Sequence, residues 1–264
     1  PFMENIRLGI VGCGVIGKQH LIHAAEVEGA EVTALCDVSE DAIRAAREIR
    51  DVAKTYTSAR ELFEDPEIDA VILALPTVHR FQLALQAFAA DKHVLTEKPV
   101  AMNADQVRGM IGARGKRIAG CCSCRMSGFE INEAARERVA SGKIGRVRTI
   151  HCRVMVPAGA PPTHPPPPWR LKRDQNGGGI LMNWGVYDLD FLFSILDWQI
   201  EPAAVFAQTF TMPPGLEAHQ APGSDAETHA ILTARFADGS ILTYERAERA
   251  TVAGEHSWQI IGDR

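Results

Sequence analysis

Three stretches of the chain hold residue types at spacings that could do chemistry. In "GIVGCGVIGKQH", Gly12, Gly14 and Gly17 stand in the G-x-G-x-x-G spacing, directly after an apolar run and at the mouth of a helical pattern. There the first glycine permits a tight turn, the second lets backbone approach a pyrophosphate, and the third lets helix pack on strand. The helix N-terminus, at Val15 and Ile16, offers unpaired N–H groups to phosphate. Asp37 follows Gly17 by 37 − 17 = 20 residues, where an acid that binds ribose hydroxyls is expected. A carboxylate repels a 2′-phosphate, and "CDVSEDA" holds no Arg or Lys, so NAD is expected over NADP.

The second stretch, "HVLTEKPVAMN", places Lys98 between Glu97 and Pro99 where a buried strand should stop. Ligands bind at the carboxyl ends of parallel strands, which makes Lys98 a catalytic candidate. The third, "GGGILMNWGVYDLDFLFSIL", spans Gly177 to Leu196 and is apolar on nearly every side. At about 100° per residue, Asn183, Tyr187, Asp190 and Ser194 share one narrow arc, with Asp188 elsewhere. Either these groups satisfy one another and nearby backbone, or they line a polar cavity in which Tyr187 offers its hydroxyl to a substrate. Helix geometry alone leaves both open.

The elements that must position these residues fall into two groups. Residues 6 to 121 alternate β-type apolar runs ("IRLGIV", "EVTALC", "DAVILAL", "HVLTE", "RIAGCC") with helical patterns such as "RFQLALQAFAA". This is the signature of βαβ units, and residues 1–122 are expected to form a Rossmann dinucleotide-binding domain of α/β class. From 123 the pattern changes to a helix ("GFEINEAARERVASG"), a strand ("RVRTIHCRVMV"), a proline-rich extended loop over 157–179, the apolar helix, and a hairpin signal in "ARFADGSILTYERA". Residues 123–264 are expected to form an α+β substrate and oligomerisation domain with an open, mostly antiparallel sheet. The chain opens on "PFMEN" and closes on "SWQIIGDR", an apolar run with a turn signal that normally announces a returning strand, so further strands are expected beyond it.

Composition narrows the function classes. The 264 residues are 46% hydrophobic and 23% charged, with a formal net charge of −5, ordinary for a globular chain. Lys and Arg are scattered, so neither nucleic acid nor a membrane surface is an expected partner, and a small molecule is. The longest apolar runs fall far short of the ~20 residues of a membrane span, and the expected location is the cytoplasm. The six cysteines do not form the paired spacing of a zinc or redox site, so no metal is expected.

The glycine turn, Asp37, "PTVH" (Pro76 to His79), "EKP" (Glu97 to Pro99), Arg125 and the "GGGILMNWGVYDLD" helix, in that order, resemble the Gfo/Idh/MocA family of NAD(P)-dependent oxidoreductases over essentially the whole chain. The resemblance implies hydride transfer between nicotinamide and a secondary hydroxyl of a sugar, cyclitol or related polyol, in a homodimer or homotetramer. It implies cofactor contacts from Pro76, Thr77, His79, Glu97, Lys98 and Arg125, a substrate pocket shaped by Arg125, Trp169, Arg170, Asn183 and Tyr187, with Lys172 nearby, and proton transfer by Lys98 with Tyr187. Where the family often has Asp-x-Gly-x-x-His, this helix has Asn183 and Tyr187, similar to a tyrosine-bearing branch that includes glucose–fructose oxidoreductases and dihydrodiol dehydrogenases. Two alternatives on the same frame are an NAD-dependent glycosidase and a non-catalytic dinucleotide-binding regulator.

Overall fold

The computed structural model describes residues 5–126, 128–164 and 166–264. The chain forms two compact units, one up to Cys122 and one from Ser123. In the first, six strands alternate with helices: β1 (Ile6–Val11), α1 (Val15–Ala24), β2 (Ala30–Cys36), α2 (Glu40–Arg47), β3 (Lys54–Tyr56), α3 (Ala59–Glu64), β4 (Ala70–Leu73), α4 (Thr77–Ala89), β5 (His93–Thr96), α5 (Ala104–Ala113) and β6 (Ala119–Cys121). The sheet is parallel throughout, in the order β3-β2-β1-β4-β5-β6. Parallel neighbours require crossovers, and the crossover helices bury both faces.

Alternate residues of each strand enter opposite cores, as the two-residue period of a strand demands. Ile10, Leu35 and Ile72 join Leu21 and Ala24 of α1 and Ile43 and Ala46 of α2. Val11, Cys36 and Leu73 join Leu62 and Phe63 of α3, Ala84, Ala87 and Phe88 of α4 and Met110 of α5. Strand order reverses between β1 and β4, so the loops after these two strands part and leave a crevice at their carboxyl ends.

The second unit holds α6 (Glu130–Ala140), β7 (Val147–Pro157), a 3₁₀ turn (Pro168–Leu171), α7 (Arg173–Asn176), a wide helical turn (Leu181–Gly185), α8 (Val186–Ile195), β8 (Pro202–Phe210), β9 (His229–Phe236), β10 (Ile241–Ala250) and β11 (Glu255–Gly262). Its sheet runs β11-β7-β10-β9-β8, with β7 parallel to β10 and the other three pairings antiparallel. Leu192 of α8 packs with Ile150, Cys152, Val154, Phe236, Leu242 and Tyr244 on one sheet face. The alternate residues His151, Arg153, Thr243 and Glu245 form a polar opposite face, with Arg153 donating to Glu245 at 2.7 Å.

The structure departs from the sequence reading in three places. β3 was not anticipated, because three residues give no pattern to read. The proline-rich passage contains two short helical turns, at Pro168–Leu171 and Arg173–Asn176, where an extended loop was expected. The apolar helix begins with five residues of i→i+5 winding, so the 100° step does not hold from Leu181 to Gly185. Among the described residues no helix is long and apolar enough to cross a membrane.

Candidate active site

The three glycines of the turn after β1 answer to different demands. Gly12 has φ +99°, and a Cβ there would lie 2.2 Å from the Ala74 carbonyl oxygen. A Cβ on Gly17 would lie 1.8 Å from the carbonyl oxygen of Gly12. Neither position admits a side chain. Gly14 differs: a Cβ there would meet nothing within 4 Å. The fold requires Gly12 and Gly17, whereas the open space over Gly14 suits a group arriving from outside. Val15 and Ile16, both exposed, open α1, and Gly14 has no side chain with which to cap it.

Asp37, at the carboxyl end of β2, is tied to this turn. Its Oδ2 accepts from the Cys13 N–H at 2.8 Å and its Oδ1 from the Ser39 N–H at 2.9 Å. The carboxylate is thereby aimed with lone pairs to spare for hydroxyl donors, and among the described residues it forms no ion pair. Open space over a glycine, a helix N-terminus and an oriented carboxylate together fit a dinucleotide, with its pyrophosphate at Gly14–Ile16 and a ribose at Asp37. The neighbouring thiols Cys13 and Cys36 are pushed up by burial to about 11 and about 12, and take no part as thiolates.

Lys98 follows β5 on the same sheet edge. Both oxygens of the Glu97 carboxylate are occupied: one pairs with His20 Nε2 at 2.9 Å and the other accepts from the Lys98 N–H at 3.1 Å. Burial would raise the pKa of this carboxyl, but these bonds and the nearby Arg80 charge outweigh it and hold it below its ordinary value. Cys122 lies close enough for its sulfur, with His20 and Glu97, to form a three-donor cluster within 4.8 Å. The His20–Glu97 bond and the adjacent Arg80 charge oppose a cation there. Of the other expected cofactor contacts, Pro76 precedes α4, Thr77 is buried in its first turn, and His79 is exposed on it.

In the second unit the glycine run anchors the polar helix. Gly177, at φ +78°, ends α7 in the left-handed conformation, and a Cβ on Gly179 would lie 1.8 Å from the Glu227 carbonyl oxygen. That carbonyl accepts from the Ile180 N–H at 2.8 Å. Beyond the wide turn, Asp188 is fully buried and accepts from Arg246 at 2.6 Å and from the Tyr244 hydroxyl at 3.0 Å. The Arg246 guanidinium lies 4.8 Å from the centroid of the Trp184 ring, which meets Tyr187 edge-on at 5.5 Å. Arg125 lies over both rings, 5.7 Å from Trp184 and 5.5 Å from Tyr187. Tyr187 is therefore held by an aromatic neighbour that is itself stacked on guanidinium groups.

The residues expected to shape a substrate pocket fall into two sets. Arg125 and Tyr187 come together, with Trp184 between them. Arg170 instead donates to Glu248 at 2.8 Å, and its backbone carbonyl accepts from Asn176, beside the half-exposed Trp169. The polar arc of the helix also divides. Ser194 accepts from Asn132 at 3.0 Å and donates to the Phe191 carbonyl, as a satisfied structural group would. Asn183 and Tyr187 lie at the other end, near Trp184.

The model of an oxidoreductase family with an NAD-binding Rossmann fold matches residues 6–117, and the GFO/IDH/MocA C-terminal domain matches residues 132–264. The chain belongs to the GFO/IDH/MocA family. It is 28% identical over 260 residues to a myo-inositol 2-dehydrogenase of Thermotoga maritima, covering 98% of this chain and 73% of that one. It is 31% identical over 243 residues to a 1,5-anhydro-D-fructose reductase of Ensifer adhaerens, covering 88% and 71%. A levoglucosan dehydrogenase solved with NADH and L-sorbose shares the fold at a TM-score of 0.83 and 21% identity, over 98% of this chain and 72 to 71% of its own length in round terms, that is 71%.

As a GFO/IDH/MocA oxidoreductase the chain uses NAD, and the turn at Gly12–Gly17 with Asp37 fits that cofactor. Sequence reasoning missed four residues of the site: His20, Arg80, Trp184 and Arg246. Arg246 sits in a β-strand, 58 residues from its partner Asp188, and no local spacing marks it. Trp184 had a signal, since it stands between Asn183 and the glycine preceding Tyr187's turn, but it reads equally as core.

Proposed function

We propose that the chain oxidises a secondary hydroxyl of a polyol, cyclitol or sugar to the ketone with NAD, or runs the reverse reduction. The observation that carries this reading is the fixed placement of Lys98 at the carboxyl end of β5, on the sheet edge that bears the dinucleotide turn. The names of the relatives, an inositol dehydrogenase and an anhydrofructose reductase, support a polyhydroxylated substrate.

When bound, NAD supplies the acceptor for the hydride from the carbinol carbon. The protein must take the hydroxyl proton. We assign that step to Lys98 and Tyr187, one accepting the proton while the other hydrogen-bonds the same oxygen. A phenol with an ordinary pKa near 10 is a weak base at neutral pH, and a cation such as Arg125 near its ring favours the phenolate. Asn183, Arg125, Trp169 and Arg170 are proposed to orient the substrate. Asp37 is proposed to select NAD over NADP.

The second unit is proposed to carry both substrate recognition and self-association into a homodimer or homotetramer. Exposed Val205, Phe206 and Phe210 along the edge strand β8 support assembly, because soluble monomers seldom leave such a stripe bare. The six free cysteines support a reducing cytoplasm.

The test is a panel of inositols, sugars and sugar acids with NAD or NADP, followed at the absorbance of the reduced nicotinamide. At least one cyclitol or sugar should be oxidised, faster with NAD. Tight NAD binding by fluorescence without turnover of any member would sink the catalytic reading and favour a regulator.

A further inference from the structure

We infer that Arg80 is the positioning residue for Lys98: a buried guanidinium that fixes the backbone on both sides of the lysine. This rests on the catalytic reading of Lys98 given above. Arg80 lies in the first helical turns of α4 and is 5% exposed. Its Nε donates to the Leu75 carbonyl at 2.8 Å, in the loop after β4. Its Nη1 donates to the Glu97 carbonyl at 2.8 Å and also to the Pro99 carbonyl, in the loop after β5. Two of these three acceptors belong to the residues immediately before and after Lys98.

Among the described residues Arg80 forms no direct ion pair. Burial pushes its pKa down, to about 10, with the Glu97 charge opposing the fall, so it remains a cation at neutral pH. Burying a cation against carbonyls is expensive, and an apolar residue of similar volume would fill the space at lower cost. What an apolar residue lacks is a planar fork of N–H donors able to reach two loops at once. Lysine also lacks it, being a point donor on a flexible stem.

The bonds around Lys98 leave little backbone freedom. The Glu97 carbonyl is held by Arg80, the Lys98 N–H by the Glu97 carboxylate, that carboxylate by His20, and the Pro99 carbonyl by Arg80 again. Lys98 can then adjust only through its side-chain rotamers. A misplacement of about 1 Å can lower turnover by roughly 10²-fold, so a clamp on the lysine's backbone bears on rate more than on cofactor binding.

The experiment compares Arg80→Lys in the otherwise native chain and in a Lys98→Ala background, using NAD and the fastest polyol of the panel. Arg80→Lys should lower kcat by roughly 10- to 10²-fold, with the KM for NAD changed less than about threefold. In the Lys98→Ala background the same substitution should lower kcat by less than about threefold, because the lysine it positions is gone. Equal losses in both backgrounds would overturn the proposal, as would an unaffected kcat in Arg80→Lys where Lys98→Ala is slow. Native-like turnover in Lys98→Ala would instead remove the catalytic reading of the lysine, and the positioning role with it. Hydrogen exchange of the free protein tests the clamp without turnover. Arg80→Lys should speed exchange of the Lys98 amide about tenfold or more while β5 stays protected, and unchanged exchange there would overturn the clamp whatever the kinetics show.

Discussion

Gly12, Gly14 and Gly17 serve the first unit by what they lack, whereas Asp188, Arg246 and Trp184 serve the second by what they bury. In the glycine turn, backbone meets backbone, and a single Cβ at Gly12 or Gly17 would collide with a carbonyl. In the polar helix, a buried carboxylate holds a buried guanidinium, which stacks on the indole that meets Tyr187. The first plan depends on local spacing and tolerates no added atom. The second joins residues 56 and 58 positions apart and tolerates no missing charge. Binding the cofactor thus falls to a rigid backbone surface, and holding the proposed proton-transfer tyrosine falls to a network of side chains.

The largest effect expected is on turnover, where each unit supplies one group. Lys98→Ala and Tyr187→Phe should each lower kcat by about 10²- to 10⁴-fold with little change in NAD affinity. The double variant should lose far less than the product of the two, and additive losses would break the claim that the groups share one proton transfer.

Next in size is stability of the second unit. Asp188→Ala leaves the Arg246 charge buried and alone, and should cost about 3–5 kcal/mol in urea unfolding. Asp188→Leu combined with Arg246→Met should recover most of that loss. If the pair variant is as unstable as Asp188→Ala, packing rather than charge holds this region.

The glycine turn allows a sharper dissection. Gly17→Ala should lower the melting temperature, since its Cβ has no room, while Gly14→Ala should melt like the native chain. Gly14→Ala should nevertheless weaken NAD by about tenfold, equivalent to about 1.4 kcal/mol, when titrated by fluorescence. Unchanged NAD affinity would show that the space over Gly14 does not receive the cofactor.

The smallest effect contrasts an exposed ion pair in the first unit with the buried pair in the second. Asp69 accepts from the Arg7 side chain through both oxygens, and these bonds, outweighing partial burial, hold its carboxyl at about 2. A free aspartate titrates near 3.9, so the folded pKa is depressed. The stability this pair contributes is full above about pH 4 and is lost as pH falls toward 2. Asp69→Asn should flatten that decline in an acid melt. Both side chains are more than a third exposed, so screening keeps the change small, and molar salt should erase it. Salt should leave the Asp188–Arg246 pair untouched.

What was legible in the sequence follows the same division. The glycine turn, Asp37 and Lys98 were readable because a parallel sheet puts binding groups at strand ends, and strand ends are marked by local patterns. Arg80 was not, since one arginine in the helical pattern after "PTVH" reads as solvated, and its carbonyl partners lie 5, 17 and 19 residues away. Asp188 was set apart from the polar arc, and its burial against β10 could not be foreseen because the strand's inward charge looks like any exposed arginine in sequence. The hairpin at Ala237–Gly239 was legible through its turn chemistry, with Gly239 at φ +87° and Asp238 accepting from the Ser240 N–H. β3 was not, for want of length.

The wide turn from Leu181 to Gly185 gives the helix an adjustable phase. Removing one residue from an ordinary helix breaks its bonding in step, but removing one here would let the surplus winding close to the usual pitch. Everything from Val186 onward would then turn by about 100° around the axis relative to Ile180, which stays pinned to Glu227. Tyr187 would leave Trp184, and a different side chain would take its bearing, with no residue beyond the turn altered. A change of one residue in length at this point is therefore a route by which descendants of such a chain could exchange the group that faces a substrate while keeping both the helix and the sheet beneath it.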